Sequence, residues 1–209
     1  MGSPFRSIVQ CATVLQGSVV EIGSERGEGS TAFLSNVCKQ LGLKFYSVDF
    51  EQEAYLKAKG TPNTIAVQST GEEFLKNFPK NEKICYAYLD NYDWDYVDNY
   101  DWDVMGPEHT KKQKKRYELY GLTLSNKNSQ KAHLDQTILI SQLAADKCII
   151  SFDDTFYDDE LKCVSGKGGT AHDWLTGEGW GNYKNTDYFN FYDRDFLKNY
   201  IRYQVGLSI

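Results

Sequence analysis

An α/β fold on a doubly wound, mostly parallel sheet is what this sequence predicts, and three observations predict it. Five short apolar runs, at 18–22, 44–49, 64–68, 83–89 and 147–152, alternate with segments of helical periodicity. The first run stops at a glycine turn, Gly23 to Gly29, that leads into the helix-patterned residues Ala32, Phe33, Leu34, Val37 and Leu41. Acidic residues stand at the carboxyl ends of the second, fourth and fifth runs: Asp49, Asp90 and the pair Asp153-Asp154. In sheets of this kind ligands bind outside those ends, where the strand order reverses.

Bulk properties bound the rest. A chain of 209 residues is expected to form one domain, 1–209, with a sizeable core. Its 23 Lys+Arg against 29 Asp+Glu give a net charge of −6, which argues against nucleic acid or an anionic membrane as partner. Cysteines at 11, 38, 85, 148 and 163 are odd in number and form no Cys-x-x-Cys pair. They read as reduced, mostly buried thiols, and with no signal-peptide or membrane-length apolar stretch the expectation is a cytoplasmic protein. Self-association is left open by the composition.

Residues 1–17 form a lead-in, with a helix through Ile8, Val9, Ala12, Val14 and Leu15 expected near the sheet edge. The first strand then reaches its glycines, which let the chain turn sharply and let a ligand approach the main chain, while the next helix aims free N–H groups at it. Glu21 lies two residues before the first glycine. A pyrophosphate would meet that carboxylate unfavourably, whereas a cationic sulfonium tolerates it. The pattern Glu21-x-Gly23-x-x-x-Gly27-x-Gly29 resembles motif I of the class I S-adenosylmethionine-dependent methyltransferases. A plain strand-to-helix turn in another α/β protein is the alternative.

The resemblance implies a Rossmann-like, seven-stranded, mostly parallel sheet with a C-terminal antiparallel hairpin, and S-adenosylmethionine as cofactor. It places cofactor contacts at Glu21, Gly23, Ser24, Gly27, Gly29 and Ser30, at Asp49 and Phe50, at Ser69 and Thr70, and at Asp90. Asp49, ending the strand Lys44–Asp49 about twenty positions beyond the loop, suits ribose hydroxyls, or a cap for the helix beginning near Glu51. Ser69 and Thr70 follow the third strand and lie on the adenine side by the resemblance; they equally suit a helix N-terminus.

Asp90 and Asp153-Asp154 converge if the fourth and fifth strands are neighbours, and three close carboxylates repel unless something cationic joins them. A hard divalent ion such as Mg²⁺ is one solution. The arrangement is similar to metal-dependent sugar O-methyltransferases, which implies Asp90, Asp153 and Asp154 as metal ligands and a small-molecule acceptor, a sugar among the candidates. Helix caps and solvated strand ends are the alternative.

The segment 90–127 is expected as an insert covering the acceptor. Its sequence Asp90-Asn-Tyr-Asp-Trp-Asp-Tyr-Val97 nearly repeats as 98–105, leaving Asp98 as rival to Asp90. Trp94, Tyr96, Tyr100 and Trp102 suit either an aromatic wall or packing of the loop. The run Lys111-Lys-Gln-Lys-Lys-Arg116 follows six aspartates within 90–103, so local neutralisation or a solvated helix face accounts for it.

Ser125 to Ser129 supplies the start of a helix running to about 145. His133 in that helix is a candidate general base, with Tyr92 and Asp93 as competitors. After the Asp pair, Ser165-Gly-Lys-Gly-Gly-Thr170 reads as a turn before a short helix. Lys167 or His172 could reach an anionic acceptor there, though the Walker pattern is missing. The tail offers two strand-like segments, Tyr188–Tyr192 and Tyr200–Val205, as the closing hairpin. Methyl transfer to an acceptor hydroxyl is the expected activity; a non-catalytic cofactor-binding module and a different metal enzyme are the alternatives.

Overall fold

The computed structural model describes residues 4–24, 29–94, 107–185 and 189–193. The elements run α1 (Ile8–Cys11), β1 (Ser18–Ile22), α2 (Ser30–Leu41), β2 (Lys44–Asp49), α3 (Gln52–Gly60), β3 (Ile65–Gln68), α4 (Gly71–Lys76) and β4 (Ile84–Leu89). They continue with α5 (Pro107–Leu119), α6 (Asn126–Leu143), β5 (Ala144–Phe152), β6 (Thr155–Asp158), β7 (Cys163–Gly166), α7 (Gly169–Gly177), β8 (Gly181–Asn185) and β9 (Phe189–Asp193).

One sheet has the order β3-β2-β1-β4-β5-β9-β8, and its first five strands are parallel. The parallel core therefore has five strands, not seven; only the antiparallel pair β8 and β9 brings the sheet to its full width. The order reverses between β1 and β4, so the switch point lies at the end of β1. Two corrections follow for the tail. The closing hairpin joins 181–185 to 189–193, and the expected strand at 200–205 lies outside the described residues. A separate hairpin, β6 with β7, was invisible to periodicity because its strands are four residues each.

Both faces of the parallel sheet are covered, which is why β1 and β4 are buried at every position. Val20, Ile22, Val48, Ala87, Leu89, Ile150 and Phe152 pack on one side with Leu75 of α4, Ile140 of α6 and Leu175 of α7. Val19, Phe45, Tyr86, Tyr88 and Ile149 pack on the other with Leu34 and Cys38 of α2. The lead-in joins this second core at its centre and not at the sheet edge. Phe5 and Ile8 are buried there, contributing roughly 2 kcal/mol each. Ser7 Oγ shares a 2.6 Å hydrogen bond with the Tyr86 hydroxyl, and Phe5 lies edge-on to Tyr88 at 5.7 Å.

No disulfide joins the five cysteines, and Cys11, Cys38, Cys85 and Cys148 are buried. Among the described residues no helix is long and apolar enough to cross a membrane. Ser125 caps α6, its hydroxyl accepting from the Asn128 N–H at 3.2 Å. Ser125→Ala is expected to cost about 1 kcal/mol, read as a lower denaturation midpoint with an unchanged slope.

Candidate active site

The strand register brings the candidate residues to one level. Ile22 of β1 stands opposite Val48 of β2 and Leu89 of β4, and Leu89 stands opposite Phe152 of β5. The next residue of each strand end, Gly23, Asp49, Asp90 and Asp153, therefore shares one edge of the sheet. Backbone bonds hold the edge together: Gly23 N–H donates to Val48 O, Asp90 N–H to Ile22 O and Asp153 N–H to Leu89 O.

Gly23 makes the turn with φ +86°, and a Cβ there would lie 2.4 Å from the Asn91 nitrogen. The loop's start is fixed from the neighbouring strand. Asp49 Oδ2 accepts from the Ser24 N–H at 2.9 Å and the Ser24 hydroxyl at 3.2 Å, while Oδ1 accepts from the Glu51 N–H at 2.8 Å. One carboxylate thus ties the glycine loop to the segment entering α3. Burial pushes the Asp49 pKa up to about 6, with the Glu51 charge adding to it and the bonds from Glu51 and Ser24 opposing. Gly29, the N-cap of α2 at φ +125°, has no atom of the described residues within 4 Å of the position a Cβ would take. Gly27 lies outside the described residues.

Glu21 is fully buried, and its Oε2 accepts from the Thr31 and Ser47 hydroxyls, both at 2.7 Å. It joins β1, β2 and the first turn of α2 around one carboxyl group. Burial raises its pKa from the usual 4.5 to about 7, against hydrogen bonds from Ser30, Ser47 and Thr31. Ser30 is buried beside it at the start of α2. Phe50 meets Tyr120 edge-on at 5.0 Å. Thr70 caps α4 by accepting from the Glu73 N–H at 3.2 Å, and Ser69 donates its N–H to Asp49 O at 3.1 Å.

At the ends of β4 and β5, Asp90, Asp153 and Asp154 do converge: one oxygen from each lies within 4.8 Å of the others. The cation among them comes from the chain itself. Lys167 Nζ lies 2.8 Å from Asp90 Oδ1 and 3.0 Å from Asp154 Oδ2, and the lysine is 2% exposed. Burial alone would lower its pKa, but Asp154, Asp90, Asp153 and Asp93 hold it well above the ordinary lysine range. Asp153 takes the opposite course. Burial, then the Asp90 charge and a hydrogen bond shared with Asp90, push its carboxyl far up despite Lys167. Tyr88 completes the group, its hydroxyl donating to Asp90 Oδ2 at 3.1 Å.

Mg²⁺ is chemically suited to three carboxylates, and here an ammonium of the chain itself contacts two of them. Lys167, weighed in the sequence as part of a turn or as a contact for an anionic acceptor, meets the chain's own carboxylates instead, which the sequence reading did not anticipate. Its two flanking glycines and the one after them were the available signal.

The three candidate bases have different surroundings. The Asp93 carboxylate pairs with Arg116 at 2.8 Å, and Arg116 also meets Glu51 at 2.8 Å. Tyr92, at φ +61°, packs edge-on against Tyr117 at 5.2 Å and its carbonyl accepts from the Ser129 hydroxyl. His133 is fully buried, with Nδ1 bonded to Ser129 O at 2.8 Å. Burial, then the Lys167 charge, lower its pKa to about 3, so it stays neutral under the sheet and reaches no surface. α5 bridges the ends of β2 and β4 through Arg116, while Lys111, Lys112, Lys114 and Lys115 are exposed. Trp94 is buried, whereas Asp98, Tyr96, Tyr100 and Trp102 lie outside the described residues.

No protein-family model matches this chain, and no curated protein matches it. Solved structures do. LepI in complex with SAM aligns at 11% identity with a TM-score of 0.45, over 91% of this chain and 46% of that one. The N-methyltransferase NodS from Bradyrhizobium japonicum WM9 gives 11% and 0.47, over 90% and 93%. A protein assigned as an rRNA-methylase from Clostridium thermocellum gives 8% and 0.54, over 92% and 95%. At such identity this last likeness concerns the fold: a mostly parallel five-stranded sheet, flanked by helices and closed by an antiparallel hairpin, as in the class I methyltransferases.

Proposed function

We propose that the chain is an S-adenosylmethionine-dependent methyltransferase acting on a hydroxyl of a small molecule, sugars included. The observation that carries this is the common level of the four strand ends. It sets the glycine loop and Asp49 beside the Asp90–Asp153 pair at the switch point of a methyltransferase fold. Gly29, with no described atom within 4 Å of a Cβ position and heading a twelve-residue helix, suits a ligand resting against backbone. Asn91 Oδ1 and Trp94 Nε1, just after β4, are buried without a protein partner among the described residues, and a polar ligand would satisfy them.

The bound cofactor supplies a methyl group on a positively charged sulfur. The chain's part is to hold the acceptor oxygen in line with that carbon, which by itself supplies much of the acceleration. With the cofactor bound, the residues of this edge would hold the acceptor hydroxyl toward the methyl carbon, and the Asp90–Asp153 pair would take the hydroxyl proton as the methyl group is transferred. Carboxyl groups at this edge favour a hydroxyl acceptor, and the net charge of −6 weighs against RNA.

Calorimetric titration with S-adenosylhomocysteine tests the reading. Micromolar affinity is expected, with Asp49→Ala weakening it at least tenfold, or about 1.4 kcal/mol, while leaving a folded protein. No binding by the unaltered chain would overturn the proposal.

A further inference from the structure

The turn carrying Lys167 is built for close approach. Gly166 takes φ +86°, and a Cβ on it would fall 2.0 Å from the Asp154 carbonyl oxygen. Lys167 N–H donates to that same oxygen at 2.9 Å, and Gly168 N–H donates to Thr155 Oγ1 at 2.9 Å. A Cβ at Gly168 would stand 2.8 Å from Thr155 Oγ1 and 2.9 Å from the Phe152 ring. Three glycines around one lysine let β7 and the start of α7 press onto the end of β5. From there the lysine side chain reaches across to the end of β4, 77 positions away in sequence. Asp154 meets the lysine halfway, itself at φ +41°. A surface ion pair would need none of this strain.

We propose that Lys167 is the resident cation of the Asp90, Asp153 and Asp154 cluster, standing where a divalent ion would otherwise sit, so that the site works without one. Its single charge pairs with Asp90 and Asp154 while Asp153 and Asp90 share a hydrogen bond, so the like-charge repulsion of three close carboxylates is relieved by a cation and a shared proton. The ammonium also offers three donors in fixed directions, so it positions the Asp90 carboxylate that faces the acceptor in the proposed function. The inference concerns the same site as that proposal, but its test reads cation binding and not methyl transfer. Either can therefore fail alone.

Mn²⁺ titration followed by electron paramagnetic resonance separates the outcomes. The unaltered chain is expected to take up no stoichiometric Mn²⁺ up to roughly 1 mM, where binding free energy is only about 4 kcal/mol. Lys167→Met, which leaves the carboxylates without their partner, is expected to gain Mn²⁺ affinity by tenfold or more. Stoichiometric uptake by the unaltered chain that is lost in Asp153→Asn would overturn the proposal, as would a folded Lys167→Met variant that gains nothing. If Lys167→Met does not fold, the protein with ¹⁵N-labelled lysine decides. A buried ammonium resonance at neutral pH, missing from Lys167→Arg and unmoved by excess Mg²⁺, sustains the proposal. Its displacement by Mg²⁺ overturns it.

Discussion

Gly23→Ala is expected to destabilise the protein by at least 3 kcal/mol and to abolish S-adenosylhomocysteine binding, measured by denaturation and calorimetry. Two independent costs add at this position. The backbone holds φ +86°, which an L side chain rarely adopts, and the new Cβ would lie 2.4 Å from Asn91 N and 2.6 Å from Asn91 Cα and Asp90 C. All three are backbone atoms, so no rotamer change relieves the clash. To make room, the chain after β4 must move off β1, and Asp90 moves with it. Gly29→Ala is the control. It is strained at φ +125° but meets nothing within 4 Å among the described residues, so its cost is about 1 kcal/mol with the edge of the sheet left in place. Equal losses in the two variants would show that close packing at Gly23 does not matter.

Glu21→Gln is expected to stabilise the protein at pH 8 and to flatten its stability between pH 4.5 and 7. The carboxyl is buried and its pKa is raised from 4.5 to about 7. The folded state therefore favours the protonated form. That contribution is fully present below 4.5 and is lost as the pH rises through 7. A shift of this size corresponds to about 3 kcal/mol by linkage, or roughly 6–12 °C in Tm for a chain of this length. Glutamine keeps an oxygen for the Thr31 and Ser47 hydroxyls without the charge. Some dependence remains, since Asp49 and Asp153 are raised in the same direction. A variant no more stable than the parent at pH 8 would show that ionising Glu21 costs nothing. In the proposed function, a buried anion retained at a cost to stability, beside the glycine loop, serves a cationic cofactor.

How much was legible follows from the range of the interactions. The strand Lys44–Asp49 and the strand-turn-helix at 18–41 were readable because apolar period, glycines and caps are local signals. So was the meeting of Asp90 with Asp153 and Asp154, because parallel neighbours end level once their order is known. The lead-in was misplaced to the edge because nothing local says which strand Phe5 will meet. The tail was half read. Tyr188–Tyr192 nearly coincides with β9, but its partner is 181–185, a glycine-led stretch with weak alternation.

The sequence by itself determined an alternating α/β chain, its glycine turn, and the acids at its strand ends, since each is written in spacing along a few tens of residues. Only the tertiary structure decided what those acids are bonded to. Asp49 holds Ser24 and Glu51, Asp93 holds Arg116, and Lys167 enters the cluster expected to call for a metal. The physical reason is that an ion pair is chosen by distance in space under desolvation, and a lysine 77 positions away leaves no periodic trace of the carboxylate it will meet.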